Sequence, residues 1–310
     1  MKNWYIPLLL VIAVGAFVVG ASYNFNFSVS RKPFLSRLFS PKPVTTPAAA
    51  VVDQNQVLPE GGITLPIVWK DLGIQLIKLG VIDRAKFTEL YAQRGGLGED
   101  AKLLDSADNT SVLITPQNSN LILNLLWAFG LANKNPILET GPMVTYDNKQ
   151  AGSPAEALAK AGNFASTGGW TLAKGSAMAH YSKYRLVPLT LEQDELVAKV
   201  AKNIYRPCCD NSTYFPDCNH GMAMLGLLEL LAANYVSESD MYKIALQVNA
   251  YWFPDTYVNI AKYMAKKGIS WDKVDPKTVL GQTYSSSSGY RKILSEIEPA
   301  QLKGGSGCGV

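Results

Sequence analysis

Cysteine, histidine and charge are all scarce in this chain. Its 310 residues include four Cys and two His, and 17% are charged against 47% hydrophobic, where about 25% charged is usual. That excess of apolar residues excludes wholesale disorder and supports a sizeable core. No repeat of fixed period occurs, which removes solenoids and propellers. The sequence lacks C-x-x-C-H, which argues against covalent c-type haem. Ser166-Thr167-Gly168-Gly169 matches neither a phosphate loop nor a nucleophile elbow. Net positive charge is also absent from the body. Lys2, Arg31, Lys32, Arg37 and Lys42 all precede the first acidic residue, Asp53, so five of the 29 basic residues fall early and 24 remain against 25 acidic. A near-neutral body lacks the electrostatic footprint of a nucleic-acid binder.

What is present begins at the N-terminus. Residues 4–21 are apolar apart from small glycines, and at about 1.5 Å per residue they reach roughly 27 Å, enough for a thin bilayer core. This segment, within 1–24, reads as a transmembrane anchor or a signal peptide, since Lys2 supplies a charged start and Val19-Gly20-Ala21 a small-residue cleavage site. Residues 25–62 form a basic arm followed by a Pro/Thr/Ala-rich tether. The arm's charge would hold the body in the cytoplasm by the positive-inside rule, whereas the tether suits a domain held away from a membrane surface. The expectation is a membrane-anchored or secreted protein with an extracytoplasmic body.

Residues 63–303 read as an all-α, irregular multi-helix body. Ile67, Leu72, Leu76 and Leu79 predict a helix over 67–80 ending at Gly80, and Asp83 caps a second through about Arg94, the two forming a hairpin. Segment 111–115 predicts one short strand, stopped by Pro116, with Asn118 or Ser119 capping the apolar helix beyond. Ser153-Pro154 opens a helix over 154–161. Thr190 and Gln193 make a capping box for 191–204. Ser237 caps 238–251, Pro254 opens a helix to about Lys267, and a last one covers 289–297. Segments 95–110 and 139–152 read as loops.

Three of the four cysteines and one of the two histidines fall within thirteen residues: Cys208, Cys209, Cys218 and His220. With Asp217 as N-cap, Cys218 stands at the first helical position and His220 at the third, where the helix dipole favours a thiolate and a neutral imidazole. Those are the protonation states a metal needs. Soft thiolates with one imidazole point to zinc first, with copper(I) or an iron–sulfur centre as alternatives. Cys308, between glycines in the flexible tail 304–310, is a further candidate donor. The spacing CC-x₈-C-x-H is not the paired C-x₂-C of common zinc modules. Two other readings stay open. One is a thiol-dependent oxidoreductase with Cys218 as nucleophile and Cys308 as resolving thiol. The other is a disulfide-stapled binding domain without catalysis.

Several residues carry weaker signals. Glu229, alone in the apolar run after Cys218, lies about 16 Å along the helix axis and is out of reach as a ligand; it reads as a satisfied core carboxylate. Met222 and Met224 are soft donors or core filler. His180 reads as structural, Trp127, Trp170, Trp252 and Trp271 as mainly core, and Ser285 to Ser288 as a flexible polar loop. The expected function is a membrane-tethered helical protein that binds a soft metal ion, with the membrane as partner.

Overall fold

A computed structural model describes residues 52–146 and 153–297, and they form a mostly helical body with one small ribbon. The ribbon pairs β1 (Ile63–Leu65) antiparallel to β2 (Val112–Ile114), with Thr64 opposite Leu113. The main helices are α1 (Leu72–Lys78), α2 (Arg84–Ala92), α3 (Ser119–Ala132), α4 (Pro154–Ala161), α5 (Leu191–Ala201), α6 (Asn219–Ala233), α7 (Glu238–Trp252), α8 (Pro254–Lys266) and α9 (Ser287–Leu294). The expected membrane segment and Cys308 lie outside the described residues. Among the described residues no helix is long and apolar enough to cross a membrane.

The centre of the body is the crossing of α3 and α6. Both helices are apolar all round, so each must be covered on every side; α3 is buried from Leu121 to Ala132 and α6 from Asn219 to Ala232. Their backbones touch at Gly130 and Gly226. A Cβ on Gly130 would overlap the Met222 carbonyl oxygen, and one on Gly226 would overlap that of Leu126. Around this pair, α5 and α7 pack against α6, α8 packs on α7, and α9 packs on α8. Buried tryptophans tie loops to the core through their ring N–H: Trp127 donates to Ser166 O at 2.7 Å, Trp170 to Val81 O at 2.8 Å and Trp252 to Ser119 O at 3.2 Å. Trp271 differs and lines an open groove with Val52, Ala261 and Ile269.

Local capping chemistry sets most helix starts. The Asp83 carboxylate accepts from Ala85 N and Lys86 N, Ser153 from Glu156 N, and Ser237 from Asp240 N. The Thr190/Gln193 capping box is complete. Other boundaries differ from the sequence expectation for tertiary reasons. The first helix starts at Leu72, not 67, because Lys70 takes φ 47° and donates to Asn109 O. α1 then packs chiefly on the turn Lys102–Asp105 and on α3, not on α2 as a hairpin. Leu79 is left exposed as a result. Asn118 makes no side-chain cap; its Oδ1 accepts from Thr115 N at 2.7 Å and holds the end of β2. α5 stops at Ala201 rather than 204, and α9 spans Ser287–Leu294 rather than 289–297. The segments read as loops contain short helices at Lys102–Asp105 and Pro142–Thr145, and a further short helix, Pro136–Thr140, runs into the second of them. The body also extends further toward the N-terminus than residue 63. Gln54–Val57 is helical with Val57 fully buried, and Pro59 O accepts from Tyr251 Oη at 2.9 Å.

Candidate metal centre

The cysteine loop is built by the chain leaving α5. Tyr205 bridges Ser212 in antiparallel fashion and Thr213 N donates to Ile204 O at 2.8 Å, which closes residues 205–212 into a tight loop. Pro207 ends any helical continuation, and Cys209 N donates to Arg206 O, leaving Cys208 exposed at the tip. The Ser285–Ser288 stretch is not a free polar loop. Ser285 and Ser286 are buried, Ser287 N donates to Cys209 O at 2.9 Å, and Ser288 N donates to the Asp210 carboxylate at 2.7 Å. These bonds clamp the cysteine loop to the start of α9.

The third sulfur arrives on α6, one position away from the expected one. Cys218 is itself the N-cap, extended at φ −118° and ψ 165°, and its Sγ accepts from Gly221 N at 3.4 Å. Asp217 does not cap the helix. Its carboxylate accepts from Arg206 Nη2 at 2.9 Å and from Asn211 Nδ2 at 2.7 Å, so a salt bridge takes it away from the helix end. Cys208 Sγ and Cys218 Sγ are 3.5 Å apart, and the three sulfurs of Cys208, Cys209 and Cys218 all lie within 4.8 Å of one another. None of the three is in a disulfide.

Arg206 organises this cluster, and the sequence reading passed over it. Fully buried, it donates from Nε to Cys218 Sγ at 3.2 Å and from Nη2 to Cys209 Sγ at 3.2 Å, while Nη1 has no partner. Gly221 makes the room: a Cβ there would stand 2.7 Å from the guanidinium carbon. The available signal was that Arg206 is the only Lys or Arg between residues 203 and 242 and stands two residues before the cysteine pair.

No family model, curated protein or solved structure matches the chain. The site's chemistry is therefore read from its own geometry.

Hydrogen bonding with Cys208 and then Cys209, the Arg206 charge and a hydrogen bond with His220 hold the Cys218 thiol well below its ordinary value, against the opposing effect of burial. For Cys209 the bond with Cys208 lowers the value, but the bond with Cys218, burial and the Cys218 charge outweigh it and the thiol is raised. Burial works against a charged Arg206, yet the three cysteines and Asp217 overcome it and fix the guanidinium as a cation. The guanidinium lies against the Cys209 and Cys218 sulfurs and lowers both thiols, but of the two only Cys218 ends below its ordinary value, toward the thiolate that binds metal.

The three cysteines can hold a metal ion. Four sulfurs at about 2.3 Å around zinc stand about 3.8 Å apart, and the spacing here brackets that value. His220 is outside the group of three. Its ring packs at 4.3 Å from the Phe253 centroid and 5.8 Å from that of Trp252, next to Cys218. Met222 and Met224 are fully buried in the core. His180 does not sit on an α-helix; it follows a short 3₁₀ turn, with Nδ1 2.9 Å from Tyr184 Oη. Glu229 is buried and accepts from Asn133 Nδ2 at 2.9 Å and from Asn135 Nδ2, as expected of a satisfied core carboxylate.

Proposed function

We propose that the protein binds one soft metal ion through Cys208, Cys209 and Cys218, on a helical body that its N-terminal segment tethers to a membrane and holds outside the cytoplasm. The observation that carries the metal reading is the convergence of three cysteine sulfurs within 4.8 Å, two of them bonded to a buried arginine. Three sulfurs this close to one another suit one ion rather than an iron–sulfur cluster, which spreads its cysteines over two or more irons. Thiolates select zinc or copper(I) over magnesium or calcium. A zinc ion would complete four-coordination with water at the exposed Cys208 side, with Cys308, or with His220 after a ring movement. The reading of a membrane anchor rests on the apolar run 4–21, and that of a tether on the Pro/Thr/Ala-rich part of 25–62.

A second reading is favoured by the 3.5 Å between Cys208 Sγ and Cys218 Sγ, which puts the two sulfurs in direct contact. In that case the pair cycles with a disulfide, and Cys208 rather than Cys308 is the near partner of Cys218.

The test is elemental analysis by plasma mass spectrometry with a thiol count on the full chain, purified in detergent without chelator. About one zinc or copper per chain, lost in Cys218→Ser, is expected. A chain that holds no metal, takes up neither zinc nor copper(I) after reduction, and shows two thiols oxidised would overturn the metal reading in favour of the redox pair.

A further inference from the structure

The cluster offers three donors and balances its own fixed charges. Among the described residues no fourth His, Cys, Asp or Glu atom joins the three sulfurs within 4.8 Å. The other full charges in contact with the sulfurs are Arg206 and Asp217, which neutralise each other across 2.9 Å. Three thiolates therefore bring a charge of −3 to a site in which Cys209 and Cys218 are partly buried and Arg206 is wholly so. A monovalent ion would leave two negative charges there and a divalent ion one, and residual buried charge is costly. A trivalent ion leaves none.

Resting on the reading of these cysteines as one soft-ion site, we infer that its preferred occupant is trivalent arsenic, taken up as arsenous acid and held by three sulfurs alone. Arsenic(III) needs no fourth donor, because a lone pair fills the remaining position. The step balances without any redox partner. Three As–O bonds break and three As–S bonds form, each thiol proton leaves with a hydroxyl as water, and arsenic stays trivalent. A sulfur already present as thiolate draws that proton from solvent. Cys208, exposed at the loop tip, makes first contact, and Cys218 Sγ, 3.5 Å away, is the next nucleophile in reach. Arg206 keeps the Cys209 and Cys218 sulfurs together through its two donors and is a positioning residue.

The test titrates the reduced full chain in detergent with sodium arsenite and follows it by native mass spectrometry and by alkylation with peptide mapping. One arsenic per chain is expected, with a mass gain of one arsenic less three hydrogens. Cys208, Cys209 and Cys218 should be protected from alkylation while Cys308 is labelled, and equimolar zinc should not displace the arsenic. Loss of one of three preorganised thiols in Cys208→Ser should weaken binding roughly 100-fold. The protection pattern in the unmodified chain decides the matter even if that variant folds poorly. Protection of fewer than three of these cysteines, with zinc or copper(I) still bound at the site, would overturn the arsenic inference and leave the soft-ion reading standing. Failure of arsenite, zinc and copper(I) alike would remove both.

Discussion

Two fully buried ionisable residues, one on α6 and one beside its start, are treated in opposite ways. Glu229, near the C-terminal end of α6, meets one amide donor on each oxygen, from Asn133 and Asn135. Those amides are satisfied in turn, Asn133 Oδ1 accepting from Val187 N and Asn135 Oδ1 from Ile137 N. The network is closed and its product is structural: it pins residues 133–137 and 187 to α6. Arg206, beside the N-terminal end, donates to two soft sulfurs, one carboxylate and the Phe215 carbonyl and leaves Nη1 unpaired. Burial of a charge alone does not mark function. What separates the two is whether the partners can take on other chemistry, and thiolates can where amides cannot.

The largest effect is expected from Arg206→Met, which keeps an unbranched apolar stem but removes the cation beside Asp217 and two sulfurs. Breaking one side of a buried pair costs about 3–5 kcal/mol, and urea unfolding would read it. A cost under 1 kcal/mol would mean that the sulfurs do not rely on Arg206 and would erase the contrast. Glu229→Ala is expected to follow at about 2–4 kcal/mol, since it strands amide donors in the core. Glu229→Gln sharpens the contrast through pH. Burial raises the Glu229 carboxyl well above its ordinary value, so the folded chain binds the proton more tightly than the unfolded one. Its contribution is complete below the ordinary carboxylate range and is lost as pH rises toward the folded value. Unfolding free energies measured across pH 4–8 should fall more with pH in the original chain than in Glu229→Gln; parallel curves would refute it.

Smaller effects test the sulfur end. Gly221→Ala pushes a methyl into the guanidinium, and a displaced supporting group should weaken metal affinity about tenfold while costing about 1 kcal/mol of stability. Equilibrium competition with a zinc chelator would check the first figure and thermal melting the second. Cys208→Ser, at an exposed tip, should change metal-free stability by less than about 0.5 kcal/mol. A larger loss on denaturant unfolding would show that Cys208 is a packing residue.

The sequence made much of the helical frame legible because capping is local. Asp83, Ser153, Thr190 with Gln193, and Ser237 each bond backbone groups two or three residues ahead, so spacing alone exposes them. The cysteine grouping was visible for the same reason. Asp217 shows where that reading stops, because an acid before an apolar run is a good N-cap until a buried arginine eleven residues earlier competes for it. The strand Ile63–Leu65 was hidden because its partner lies some fifty residues away, and the clamp of the α9 start on the cysteine loop spans a longer separation still, 78 residues between Asp210 and Ser288.

The sequence by itself determined that this is a helical body with one cysteine-rich loop, since periodicity, caps and composition act over a few residues. Only the tertiary structure decided that Cys208, Cys209 and Cys218 converge, that Arg206 rather than His220 stands between Cys209 and Cys218, and that Glu229 is closed off by Asn133 and Asn135. Those outcomes depend on which segments the α3–α6 crossing brings together, and contacts between distant segments are chosen by core packing, which local sequence pattern does not encode.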